Sequence, residues 1–322
     1  MSTMSEIELS KERALQLNSC VTEKERTELR ALLGGLQWLV TQTRVDGSID
    51  TNLLQSDVTV ATVETLLAAN KILRKLRQGP AELHTRKIQG ELEMVAWSDA
   101  SWANRKKGNS TGGYIIGLCN KNVLEGTRDH ITVVTWNTNK LKRVARSSMA
   151  AEMQALANAE DELHLCRLAW AEFNGKTINP RELEETIKTV RGTVIIDAKS
   201  IYDALISQNQ PLQLAEKRTA LELLAYLRNT EANGTLTRWC HGGANLADGL
   251  TKLGTHPMLR DFLTTSTWAL PKGTMSGKKR AAQGVNKLED SGQPEPEFAT
   301  LAWKKLGEAW PDWCVDSESD SD

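Results

Sequence analysis

Three apolar runs, EMVAWSD at 93–99, GGYIIGLC at 112–119 and ITVVTW at 131–136, succeed one another through short links. Val, Ile and aromatic residues dominate them, so each reads as a strand. Strands joined this closely form an antiparallel meander, because a parallel pair needs a long crossover. After the third strand the pattern changes. A long helix is predicted from about Ser147 to Phe173, with Met149, Met153, Leu156, Leu163, Cys166, Trp170 and Phe173 at steps of three, four or seven. Then come a strand GTVIID (192–197), a short helix AKSIYDALIS, a longer helix from about Leu212 to Asn229, a strand TLTRWC (235–240) and a helix NLADGLTKL. The order β-β-β-α-β-α-α-β-α predicts an α/β domain over residues 90–268.

The flanks differ in character. Residues 1–22 read as a polar N-terminal tail. Residues 23–85 read as helical: Leu29, Leu32, Leu33, Leu36 and Val40 lie at helical spacing behind Thr22 as N-cap, and Val63, Leu66, Leu67, Ile72 and Leu76 mark a second helix ending before Gly79-Pro80. Two helices bury little alone, so this segment is expected to pack on a neighbour. Residues 269–322 are rich in Gly, Pro and charge and read as a disordered linker, with a short helix carrying Trp303, Trp310 and Trp313 and an acidic tail.

Net charge is −1, so charge as a whole selects no class of partner. The five cysteines are scattered without CxxC or zinc-type spacing, which argues against a disulfide framework or zinc site and for reduced thiols in an intracellular protein, cytoplasmic or nuclear. The N-terminus has no signal-peptide pattern, and no apolar run reaches the roughly 18 residues of a membrane span.

Four acids share an unusual placement. Asp99 ends the first strand, Glu152 lies in the first turns of the long helix, Asp197 ends the fourth strand, and Asp248 starts the last helix. Any one alone reads as a turn residue or a helix cap. Together they fall where strand ends and helix starts meet at one edge of an α/β sheet, the usual place for a ligand. Four carboxylates gathered there repel one another unless cations sit among them. Hard oxygen donors suit Mg²⁺ or Mn²⁺, and two such ions about 4 Å apart can activate a water and stabilise the leaving oxygen of a phosphodiester.

The segments WSDASWA, STGGYIIGL, VARSSMAAEMQAL, GTVIIDAKSIYDAL and NLADGLTK, in this order, resemble the ribonuclease H domain of copia-type long-terminal-repeat retrotransposon Pol polyproteins. Upstream, RALLGGLQWLVTQTRVDGSIDTNLL and AANKILRKLR resemble the connection between reverse transcriptase and ribonuclease H, though TRVDG lacks the Pro that usually follows the Arg. The resemblance implies a ribonuclease H-like fold: a five-stranded mixed sheet, three antiparallel strands then two parallel additions, flanked by helices. It implies Asp99 bridging two metal ions, Glu152 and Asp197 holding the one on the leaving-group side, and Asp248 holding the one that activates water. The implied reaction cuts the RNA strand of an RNA/DNA hybrid, leaving a 3′-hydroxyl and a 5′-phosphate. The reverse transcriptase part of the same polyprotein is the second implied partner. No polymerase palm is recognised, so polymerisation is not expected.

Weaker signals surround the acids. His241 lies seven residues before Asp248, where many ribonucleases H carry a loop histidine thought to assist product release; a loop histidine without a role is the alternative. Arg105, Lys106 and Lys107 after the first strand, and Lys140, Lys142, Arg143 and Arg146 before the long helix, are placed to hold hybrid phosphates or are simply solvated. Trp97, Trp102, Trp136 and Trp239 read mostly as core, with Trp102 singled out by its closeness to Asp99. The competing reading of the chain is a degenerate or repurposed retroelement fragment that binds nucleic acid or a protein without catalysis.

Overall fold

The computed structural model describes residues 4–78, 83–206, 216–254 and 256–271. At its centre lies β1 (Leu92–Ser101), paired antiparallel with β2 (Thr111–Asn120), which pairs antiparallel with β3 (Asp129–Lys140). On its other side β1 pairs in parallel with β4 (Gly192–Ile196), and β4 in parallel with β5 (Thr235–Trp239). This is the ribonuclease H-like arrangement expected from the motifs. It carries one addition: β6 (Thr267–Trp268) pairs antiparallel with β3, giving a six-stranded sheet in the order β5-β4-β1-β2-β3-β6. The sixth strand has only two residues, too few to leave a periodic signal in the sequence.

Both faces of β1 are covered, which explains its unbroken apolar run. Met94 and Ala96 face α5 (Ser148–Phe173), meeting Met153, Leu156 and Leu163. Val95 and Trp97 face the opposite core with Leu246, Leu259, Phe262 and Trp268. Trp97 meets Trp268 edge-on with ring centroids 5.1 Å apart, and the Trp268 indole donates to the Ala244 carbonyl at 2.9 Å. The long helix is close to its expected bounds: Ser147 caps it by accepting from Ala150 N at 3.1 Å.

The chain before the sheet forms a second core. A short α1 (Lys11–Ala14) precedes α2 (Glu23–Gln42), whose start is a full capping box between Thr22 and Glu25. α2 packs on α4 (Val63–Gln78) through Leu29, Leu33, Leu36, Leu66, Leu73 and Leu76. The segment expected to be a polar tail is laid on α4: Ile7 is buried, and its backbone exchanges two 2.9 Å hydrogen bonds with the Asn70 side chain. Between α2 and α4 lies α3 (Ser48–Gln55), for which the sequence carries no clear signal. Its Asp, Thr and Asn are poor helix formers, and its position against α2, α4 and β3 stabilises it instead. As expected, this helical layer packs on a neighbour. The Trp136 indole of β3 donates to the Val40 carbonyl at 2.7 Å.

Beyond α5 the helices are α6 (Leu183–Lys188), α7 (Lys199–Ile206), α8 (Lys217–Asn233), α9 (Asp248–Thr251) and α10 (Pro257–Thr265). α6 and α10 are additions to the expected order. The expected helix over NLADGLTKL shrinks to four residues. Asn245 is the reason: its side chain donates to the Ser98 carbonyl at 2.9 Å and accepts from Ala247 N at 3.1 Å, holding its own backbone extended. The linker, tryptophan-rich helix and acidic tail expected beyond residue 271 lie outside the described residues. No helix among the described residues is long and apolar enough to cross a membrane.

Candidate active site

The register of the sheet assembles the acids. β4 runs parallel to β1 with Ile195 beside Trp97, so two residues further along each chain Asp197 comes beside Asp99. Asp99 is wholly buried, within β1 and opposite Gly113 of β2. Gly113 is needed there: a Cβ on it would lie 2.8 Å from Leu250 Cβ and 3.0 Å from Thr251 Cγ2. The missing side chain lets α9 descend onto the strand and deliver Asp248. Carboxylate oxygens of Asp99, Asp197 and Asp248 all lie within 4.8 Å of one another. Glu152 is not among these three. It stands one turn into α5 and accepts a hydrogen bond from the Ala100 backbone.

Electrostatics record the crowding. Burial, then the neighbouring Asp197, raise the Asp99 carboxyl well above the usual range, against the pull of Lys252 and Thr251. Burial, then Asp99 and Asp197, raise Glu152 well above its ordinary value too. Burial raises Asp197, with Lys252 and the Asn245 amide opposing. The group therefore holds more negative charge than it can keep ionised with one ammonium among it. Its donors are all hard oxygens at a partly buried edge, and an acidic triad of this kind can bind a divalent metal ion.

Three further neighbours join the acids that the sequence singles out. Lys252, one turn after Asp248, places Nζ 3.3 Å from Asp99 Oδ1 and donates to Asp248 Oδ1. Burial alone lowers its ammonium pKa, but Asp99 and Asp248 outweigh this and raise it. Thr251 donates its hydroxyl to Asp99 Oδ2. His256 sets Nδ1 3.1 Å from Asp248 Oδ2 and Nε2 2.6 Å from the Lys252 carbonyl. The Asp248–Lys252 spacing of four on a helix is a usable signal in the sequence; the contacts of Thr251 and His256 are not readable from spacing.

The other candidates separate. His241 is exposed, in a loop whose Gly242 passes so close to Asp197 that a Cβ would lie 3.0 Å from its Oδ2. Lys140, Lys142, Arg143 and Arg146 are exposed at the end of β3 and the approach to α5, with Arg143 paired to Glu222. Trp102 is half exposed, and its indole donates to the Ala145 carbonyl at 3.0 Å, tying the turn after β1 to that basic loop. Lys107 is exposed, and Lys106 pairs with Asp57 at 2.9 Å. Arg105 is different: it is 8% exposed and bonded to Thr111, Ser56 and Asn52.

No protein-family model matches the chain. Over 156 residues it is 35% identical to the retrovirus-related Pol polyprotein from transposon RE1 of Arabidopsis thaliana, and 33% identical over the same length to that from transposon RE2 of the same plant. Each match covers 48% of this chain and 10% of the relative, so the chain spans a tenth of these polyproteins. A crystal structure of RNase H1 from the halophilic archaeon Halobacterium salinarum NRC-1 aligns with 52% of this chain and 98% of its own, at 15% identity and a TM-score of 0.30. The fold assignment rests on the strand order and not on that alignment. The resemblance carried by the motifs is thus borne out: over 48% of its length this chain is similar to Pol polyproteins of copia-type retrotransposons.

Proposed function

We propose that this chain is a metal-dependent ribonuclease H that hydrolyses the RNA strand of RNA/DNA hybrids. The observation that carries the reading is the convergence of Asp99, Asp197 and Asp248 within 4.8 Å, with Glu152 alongside. These four would hold the metal, Asp99 at the centre. Bound there, two Mg²⁺ ions, or Mn²⁺, would supply an activated water and charge neutralisation at the leaving oxygen. Thr251 and Lys252 orient Asp99 and Asp248 before the substrate arrives. The exposed Lys140, Lys142, Arg143 and Arg146 hold phosphates of the hybrid, and Trp102 anchors their loop. His241 lies in reach of the same edge and would assist product release. In a longer polyprotein the reverse transcriptase part would deliver the hybrid.

The test is a labelled RNA/DNA hybrid incubated with Mg²⁺ and either the wild-type chain or Asp99→Asn. Cutting by the wild type that falls to background in the variant supports the reading; equal cutting by both, or none by the wild type, sinks it. One observation favours the rival, a repurposed fragment that binds nucleic acid without cutting: the Lys252 ammonium already sits between Asp99 and Asp248. Hybrid binding that is insensitive to Mg²⁺, with no cleavage, would select it.

A further inference from the structure

Arg105 opens a run of hydrogen-bonded residues from the N-terminal helical layer to the central acid. Its Nη1 donates to Ser56 Oγ at 2.9 Å, and its Nη2 donates to Asn52 Oδ1, both in or just after α3. Its Nε donates to Thr111 Oγ1 at 2.8 Å. Thr111 Oγ1 donates in turn to Asn104 Oδ1 at 2.8 Å, and Asn104 Nδ2 donates to the Thr251 carbonyl at 3.0 Å. Thr251 then donates to Asp99 Oδ2. Thr111 and Asn104 each accept and donate, and at Thr251 the run crosses covalently from the backbone carbonyl that accepts to the hydroxyl that donates. Arg105, Thr111, Thr251 and Asp99 are buried, while the Asn104 link and the far end at Ser56 reach the surface. A second observation agrees: α3 packs directly against α9, the helix that carries Asp248.

We propose that Arg105 is a positioning residue through which the helical layer of residues 23–78 sets the placement of Thr251, Asp99 and Asp248. The proposal rests on the reading of these acids as metal ligands. A guanidinium suits the task because its planar fork reaches Asn52 and Ser56 on one side and Thr111 on the other, which a lysine's single ammonium cannot do. Buried as it is, Arg105 has almost no surface to offer a phosphate. The helical layer is then part of the active-site scaffold and not a passive leader.

The test uses the full chain in three variants: Arg105→Met, Arg105→Lys, and the pair Asn52→Leu with Ser56→Ala at the far end of the run. Three quantities are measured: amide hydrogen exchange in metal-free buffer, Mn²⁺ affinity by calorimetry, and kcat and KM on a hybrid. Exchange at residues 248–252 should rise about tenfold in Arg105→Met and in the far-end pair, with a smaller rise in Arg105→Lys. Mn²⁺ affinity should weaken by about tenfold, and kcat should fall while KM stays. Exchange that rises only near 52–56 and 104–111, with Mn²⁺ affinity unchanged, would overturn the proposal and leave Arg105 a local fastener. A raised KM and a shallower salt dependence, with 248–252 unchanged, would also overturn it and make Arg105 a phosphate contact. If the wild type binds Mn²⁺ but cuts no hybrid, the proposed function fails while exchange and calorimetry still decide the positioning role. If it binds none, exchange alone decides. Should Arg105→Met not fold, the far-end pair gives the same readouts.

Discussion

His256 faces Asp248 with one ring nitrogen and the carbonyl of Lys252 with the other, at 3.1 Å and 2.6 Å. The carbonyl only accepts, so Nε2 carries a proton there. The ring thereby braces the last acid from the side opposite Lys252. We expect His256→Ala to weaken Mn²⁺ binding by about tenfold, the usual cost of losing a group that orients a metal ligand, with His256→Gln retaining more of it. Calorimetry on the two variants checks this. Equal affinity in wild type and His256→Ala would remove His256 from the site.

Asp99 is held in a place that disfavours its charge, because burial and Asp197 both push its carboxyl up. In metal-free buffer above neutral pH, Asp99→Asn should therefore unfold a few degrees higher than wild type. Mg²⁺ should raise the wild-type midpoint in a concentration-dependent way and leave the variant unmoved. Thermal unfolding with and without Mg²⁺ decides both points together.

Far from the site, Glu160 is buried on α5, its Oε1 3.8 Å from His164 Nε2 and without a hydrogen bond among the described residues. Burial, then Asp161, push its carboxyl up to about 9. A raised folded value means that the protonated acid is the stable one in the fold. Its contribution is complete below the unfolded value and is lost as pH rises toward 9. His164 works in the other sense: burial, then Arg167, lower it to about 4, so its contribution is lost as pH falls below its ordinary range. Above pH 6.5 the Glu160 effect stands alone of the two. Glu160→Gln should flatten the fall in stability from pH 6.5 to 9, where wild type loses up to about 1.4 kcal/mol per pH unit through this group. Denaturant titrations across that range measure the difference.

Gly113→Ala puts a methyl group against Leu250 and Thr251. We expect a stability loss of about 1–3 kcal/mol, typical of overpacking, and a larger loss of metal affinity, because α9 must lift away from β1. A variant as stable and as active as wild type would show that α9 has room to spare.

Lys142→Ala with Arg146→Ala should raise KM for the hybrid and leave kcat unchanged. The salt dependence of binding should become shallower by about one to two units of slope, the share of two phosphate contacts. Binding measured at several salt concentrations reads this directly.

The parts of the fold that repeat along the chain are legible in its sequence. β1, β2 and β3 declare themselves by apolar runs, α5 by its stripe and Ser147 cap, and the acids by falling at element ends. Features that depend on a partner far along the chain are not legible. Arg105 looks like one of three surface cations in RKK, and nothing local says that Asn52 and Ser56 await it. The length of α9 is set by Asn245 reaching back to Ser98. β6 is fixed by the edge of β3 and the hole beside Trp97, not by its own two residues.

The Trp97–Trp268 contact has a practical side. Trp97 precedes Asp99 by two positions on the same face of β1, and its edge-on partner comes from the last described strand. A shortened chain ending at Thr265 would keep all four acids and five of the six strands. It would nonetheless leave an indole-sized void under the acid edge and free the Ala244 carbonyl. Anyone trimming this domain for expression should place the cut beyond residue 271, and the near-ultraviolet dichroism of this tryptophan pair would report whether the floor of the site has survived.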